Sequence, residues 1–222
     1  MKKLFLFFIA VAITVFSFAQ NVTTNASSGL AASYSTLAAA ITALNSATIN
    51  APVTITVASG YSETAPVGGY NITATGTSTN TITIQGNGAA NTTLTAFSPQ
   101  VSGISTDAVI KITGGDYITI SGFKLQENSS NTTTLAASNN MTEFGIAVYN
   151  GSATNGAKFN TIQNNTITLS ATNPNTIGIF SNCTTTGATN TTGTNSDNKV
   201  YGNIISNVQY GIYWLQPNTA AV

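Results

Sequence analysis

The amino-acid sequence predicts an all-β fold, built from stacked repeats of short strands and closed at its start by one helix. Three observations carry this. Beyond residue 50, apolar residues alternate with Thr, Asn and Ser in short β-branched runs such as Val53-Thr54-Ile55-Thr56-Val57, separated by Gly and Asn. The segments FGIAV, TIGIF and YGIYW recur with glycines at Gly145, Gly178 and Gly211, 33 residues apart. Only one segment has convincing helical period: Leu37, Ala40, Ile41 and Leu44 fall on one helix face.

The elements follow in order. Met1-Lys2-Lys3 is a short basic start, Leu4 to Phe18 is almost unbroken apolar sequence, and Ser17 and Ala19 are small residues placed for cleavage. Residues 1–19 therefore read as a secretory signal peptide, shorter than the roughly 20 residues of a membrane span. No cysteine follows the cut to carry a lipid anchor. Residues 20–33 are polar and read as a loose lead-in. Residues 34–79 read as an N-terminal cap, the helix plus the first strands. Ser33 or Ser35 is its expected N-cap, and Asn45 suits its C-terminal end.

Residues 80–222 read as the stacked coils. NTIQNNTI (Asn160 to Ile167) aligns with NKVYGNII (Asn198 to Ile205) at an offset of 38. This places Asn160 on Asn198, Asn165 on Asn203, Ile162 on Val200 and Ile167 on Ile205. YITISGFKL aligns upstream, with Ile120 against Ile162 and Leu125 against Ile167. Gly86 and Gly122 fall 36 residues apart. Polar inserts of unequal length explain the unequal offsets. Such a unit buries its apolar face only against its neighbours, which is the logic of a solenoid. Stacked Asn160/Asn198 and Asn165/Asn203 are expected to form an asparagine ladder. Their amides hydrogen-bond from coil to coil, and Asn tolerates the left-handed backbone of tight turns.

The helix, VTITVASGYSET and ITIQGNG, followed by ITISGFKL, NTIQNNTI and NKVYGNII, resemble the right-handed parallel β-helix, or pectin-lyase-like, family. The resemblance covers residues 34 to 222. It implies an N-terminal helical cap, with Glu63 as a cap-region hydrogen-bond acceptor. With the signal peptide and the Thr/Asn-rich coils, the chain further resembles large secreted surface proteins of Gram-negative bacteria, many of them adhesins. YGIYWLQPNTAAV ends on a strand and the start of an insert, with no second cap. The expectation is a longer protein, because an open last coil exposes core and strand edges.

Charge narrows the function. The 222 residues contain no Arg and no His; losing Lys2 and Lys3 leaves four lysines against six acids, a net charge of −2. Nucleic-acid binding, which needs clustered basic residues, is excluded. Enzymes of the resembled family use a basic residue with acid-bound Ca²⁺, or a close carboxylate pair. The acids here are scattered. Asp107 and Asp116 flank one strand, Glu127 and Glu143 bound one insert, and each is expected to be a solvated turn residue. Lys124 and Lys158 lack an acidic cluster, and Cys183 has no histidine to activate it. No catalytic residue, metal site or cofactor is assigned.

The ligand-contact candidates are Phe180 and Tyr213. In the repeat, Ile146, Ile179 and Ile212 point inward, so Ala147, Phe180 and Tyr213 point outward by strand alternation. Rings about 4.8 Å apart on adjacent coils form a column that can bind sugar faces. Alternatively, an insert covers the column and makes it a satellite core. Trp214 is expected to face inward or to lie at the open end.

The favoured reading is a non-catalytic secreted or cell-surface module, stalk-like or adhesin-like, in contact with a polysaccharide or cell-surface glycan. The alternative is the N-terminal part of a polysaccharide lyase or glycoside hydrolase whose catalytic residues lie beyond Val222.

Overall fold

A computed structural model describes residues 21–101, 107–183 and 187–215. The signal peptide expected at 1–19 lies outside the described residues. β1 (Val22–Thr24) and β2 (Ser33–Tyr34) precede helix α1 (Leu37–Ser46). The segment expected to be a loose lead-in is thus anchored. β1 pairs antiparallel with β2, and Val22 is fully buried.

The chain then passes through three strands, five times over. The strands are β3 (Val53–Val57), β4 (Tyr61–Thr64) and β5 (Tyr70–Ile72); β6 (Ile82–Gln85), β7 (Thr92–Thr95) and β8 (Ala108–Thr113); β9 (Ile118–Ser121), β10 (Lys124–Gln126) and β11 (Phe144–Tyr149); β12 (Thr161–Gln163), β13 (Thr166–Thr168) and β14 (Ile177–Asn182); and β15 (Lys199–Tyr201), β16 (Ile204–Ser206) and β17 (Tyr210–Trp214). Each pass contributes one strand to each of three sheets. The sheets are parallel throughout, except at one end of the first, where β1 pairs antiparallel with both β3 and β2.

Register follows the repeats. Ile55, Ile84, Ile120, Ile162 and Val200 align in the first sheet. Leu94, Leu125, Ile167 and Ile205 align in the second. Ile110, Ile146, Ile179 and Ile212 align in the third. Side chains from all three sheets and α1 share one contiguous core. Burying each aliphatic residue contributes about 1.5–3 kcal/mol. The outer faces carry short polar side chains that bond between passes, such as Gln126 to Thr95 at 3.1 Å and Thr168 to Ser206 at 3.0 Å. This gives the threonine-rich composition a structural role.

The helix N-cap is Thr36, not Ser33 or Ser35. Thr36 is extended, and its Oγ1 accepts from the Ala39 N–H at 3.1 Å. Ser33 is taken up in β2. Glu63 accepts from the Leu37 N–H at 2.9 Å and from the Tyr61 hydroxyl. A carboxylate at this end also complements the helix dipole. Asn45 ties the last turn down, donating to the Asn71 carbonyl at 2.7 Å and accepting from the Thr73 N–H at 2.9 Å.

The aligned glycines answer a packing demand. A Cβ on Gly145 would lie 2.5 Å from Ile167 Cγ2 and 2.6 Å from the Gly178 carbonyl. The turns between first and second strands are two residues long in the last three passes: Gly122-Phe123, Asn164-Asn165 and Gly202-Asn203. Their leading residues are left-handed, with φ of 74°, 55° and 66°. In the last described pass, Ile212 is 53% exposed, whereas Ile179 in the same register is fully buried. No helix among the described residues is long and apolar enough to cross a membrane.

Candidate functional site

The asparagines resolve first. Asn160 Oδ1 accepts from the Ile118 N–H at 2.8 Å, and its Nδ2 donates to the Gly115 carbonyl at 2.9 Å. Asn165 does the same with the Phe123 N–H and the Ile120 carbonyl, both at 3.1 Å. One pass later, Asn198 accepts from the Asn160 N–H at 2.8 Å and Asn203 from the Asn165 N–H at 3.0 Å. The ladder thus runs mainly from side-chain amide to the backbone of the preceding pass. Amide-to-amide contact joins only Asn165 to Asn203, at 3.0 Å. Nor do these asparagines adopt the left-handed backbone expected of them. That conformation belongs to the residue before each: Phe159, Asn164, Asp197 and Gly202. These four asparagines hold turns.

The outer face of the third sheet carries more chemistry. Ile146 and Val148 point to the core, while Phe144, Ala147, Tyr149 and Phe180 form a second apolar cluster outside it. Phe180 stacks on Phe144 at 4.4 Å and 12°, and on Tyr213 at 6.1 Å and 9°. The edge of Tyr149 packs against it at 6.0 Å. Phe180 is only 7% exposed. Its two faces are occupied by neighbouring rings, so it cannot offer one to a sugar. For Phe180 the satellite core is what forms. Tyr213 is 44% exposed, and Tyr210, 56% exposed, lies 5.9 Å from it. Trp214 packs partly buried against the main core.

Beside this cluster lies an open pocket of about 410 Å³, lined by Glu143, Phe144, Pro174, Asn175, Ile177, Phe180 and Tyr210. Glu143, Phe144, Ile177 and Phe180 form its buried base; Pro174, Asn175 and Tyr210 are exposed at its rim. The Asn175 side chain lies next to the Glu143 carboxylate, and its polar influence on that carboxyl opposes the effect of burial.

Glu143 is stacked on Asp107. Each directly precedes its strand, and the Asp107 carbonyl accepts from the Phe144 N–H at 2.9 Å as the Glu143 carbonyl accepts from the Ile177 N–H at 2.7 Å. The expectation of solvated turn acids fails here, because Asp107 and Glu143 are 5% and 6% exposed. Strand register places them side by side although they lie far apart in sequence. Burial, reinforced by the Asp107 charge, pushes Glu143 up to about 7. Burial pushes Asp107 up to about 6, with Lys111 opposing and Glu127 adding to the rise. Lys111 is lowered by its own burial, against the pull of Asp107. Tyr149 is raised by burial and by both acids.

Asp116 and Glu127 are not free turn residues either, whereas Asp197 is exposed in its turn. Asp116 accepts from the Lys158 N–H at 2.7 Å and is raised by burial. Glu127 accepts from the Thr142 N–H at 2.9 Å, the Thr142 hydroxyl at 2.7 Å and Asn131 Nδ2 at 2.9 Å, which clamps the base of the insert before β11. Cys183 is a buried free thiol. No group of three or more potential metal ligands occurs among the described residues.

Sequence reading missed Glu143, Asn175 and Tyr210 as a group. A signal was available: Asp107 and Glu143 each precede an aligned apolar strand, AVIKI and FGIAV. Asn175 lies in an insert, where no periodicity speaks for position, whereas Tyr210 opens YGIYW in register with Phe144 and Ile177. No protein-family model, curated protein or solved structure matches the chain.

Proposed function

We propose that the three sheets close into a right-handed parallel β-helix, capped by α1, that serves as a non-catalytic secreted or cell-surface module. In this reading it is a stiff stalk-like or adhesin-like element that meets glycans through its third sheet. One observation carries the reading: strand register is held through five passes, while the inserts between second and third strands vary freely in length. A scaffold with constant rungs and variable loops suits display. The inserts border the outer aromatic cluster, where Tyr210 and Tyr213 remain exposed. Tyr213 stays a contact candidate; Phe180 supports it from behind.

The test is a glycan array probed with the purified chain and with Tyr210→Ala/Tyr213→Ala. Binding that the double variant loses supports the reading. Conversion of uronate polymers by the purified chain overturns its non-catalytic part.

A second reading, a carbohydrate-active enzyme, is favoured by the stacking of Asp107 and Glu143, two buried carboxyls both raised by burial. Such pairs divide acid and base roles in glycoside cleavage. Release of reducing ends from a polysaccharide, abolished in Glu143→Gln, would establish it.

A further inference from the structure

We propose that the pocket over Glu143 binds one neutral pyranose unit of a glycan, held by its hydroxyl edge rather than stacked on the aromatic column. The inference rests on the glycan-contacting reading above and names its ligand class. Three features of the pocket argue for it.

The first is size. At about 410 Å³ the pocket falls at the small end of the range for ligand sites, roughly 300–1,000 Å³. That volume suits one sugar ring better than a long segment of chain.

The second is the division of surfaces. Phe144, Ile177 and Phe180 give a buried apolar base, while Glu143 and Asn175 give a carboxyl and an amide on the same pocket wall. A pyranose has the matching division: C–H groups on a ring face and hydroxyls around its edge. Adjacent hydroxyls can bond the carboxyl and the amide together while C–H groups rest on the base. Tyr210 adds an exposed ring to the rim. The rings of Phe144 and Phe180 face each other, so a sugar meets their edges, not their faces.

The third is charge. Asp107 stands beside Glu143, and Lys111 is drawn to Asp107; no lysine lines the pocket. A carboxylate-bearing sugar finds no cation there, and it meets growing repulsion as Glu143 ionises. A neutral sugar meets none, because its hydroxyls both donate and accept and so suit either form of Glu143.

The experiment is titration calorimetry with ligand-observed NMR on the purified chain. The probes are glucose, galactose, mannose, N-acetylglucosamine and galacturonate. At least one neutral sugar is expected to bind, with a Kd on the order of 1 mM, changing less than about threefold between pH 5.5 and 8.5. Glu143→Ala and Asn175→Ala should each weaken binding about tenfold or more, with Glu143→Gln within about threefold of the parent. Asn175 is exposed, so its substitution leaves the core intact. Tyr201→Ala, on the first sheet, should change nothing.

The proposal is overturned if none of the neutral sugars binds, if galacturonate binds more tightly than all of them at pH 8.5, or if Asn175→Ala binds like the parent. Pocket variants that leave glycan-array binding intact would remove this site alone. Loss of all array binding by the parent chain would remove the glycan-contacting reading itself.

Discussion

Asn165 shows how a polar residue becomes part of a core. It is 1% exposed, and both halves of its amide bond the turn of the preceding pass. Truncation would strand a buried N–H and a buried carbonyl. Asn165→Ala should therefore cost about 2–4 kcal/mol, whereas Asn203→Ala, half-buried in the last described pass, should cost about 1 kcal/mol. Urea unfolding compares the two; equal losses would contradict the role given to the buried member. The acids make a second residue-scale prediction. Asp107 and Glu143 are held at about 6 and about 7, above their ordinary values of 3.8 and 4.5. Burial thus favours the protonated form in the folded chain. The stability this contributes is complete below about pH 4 and is lost as pH rises through 6 and 7. Thermal melts should be higher at pH 5 than at pH 8, and Glu143→Gln should narrow the gap. A melting temperature that rises over that interval would count against the buried pair.

Among the elements, α1 depends on groups from outside the helix. Glu63 and Tyr61 from β4 meet its first N–H groups alongside the Thr36 cap. Glu63→Ala should lower stability by about 1–2 kcal/mol and Thr36→Ala by about 1 kcal/mol; chemical denaturation measures both. The third sheet supplies a matched pair of tests. A Cβ at Gly178 would lie 2.6 Å from the Gly211 carbonyl, whereas one at Gly211 meets nothing within 4 Å. Gly178→Ala should cost about 1–3 kcal/mol through overpacking, and Gly211→Ala should be close to neutral in the same unfolding assay. These strands were legible in the sequence, because alternating Ile and Val fix which face is buried and the aligned glycines fix the register. The helix was legible too, but its N-cap was not: three hydroxyl residues, Ser33, Ser35 and Thr36, compete locally; pairing of β2 with β1 takes up Ser33, and Thr36 is the one that bonds the Ala39 N–H. The stacked rings were half legible. Alternation sends Phe180 outward, but only the third dimension shows Phe144 covering one face and Tyr213 the other. The Asp107–Glu143 pair was legible only through the alignment of AVIKI with FGIAV, because strand register, across the long insert between β10 and β11, makes neighbours of residues distant along the chain.

For the whole molecule, the account is one of repetition in register. A chain without arginine, histidine or a disulfide holds three sheets together by aligned aliphatic columns and backbone-bonded asparagines. Outer Thr, Ser and Gln side chains add bonds from pass to pass. The register is also what brings Glu143, Phe180 and Tyr210 to one pocket, so the functional reading stands on it. It can be measured by cross-linking in a Cys183→Ser background. Thr168 and Ser206 face each other on β13 and β16, with hydroxyls 3.0 Å apart. The Thr168→Cys/Ser206→Cys pair should form an intramolecular disulfide in high yield. Thr168→Cys/Ile204→Cys, displaced by two positions along β16, should not. Equal yields from both pairs, or a bond only in the displaced pair, would contradict the in-register stack.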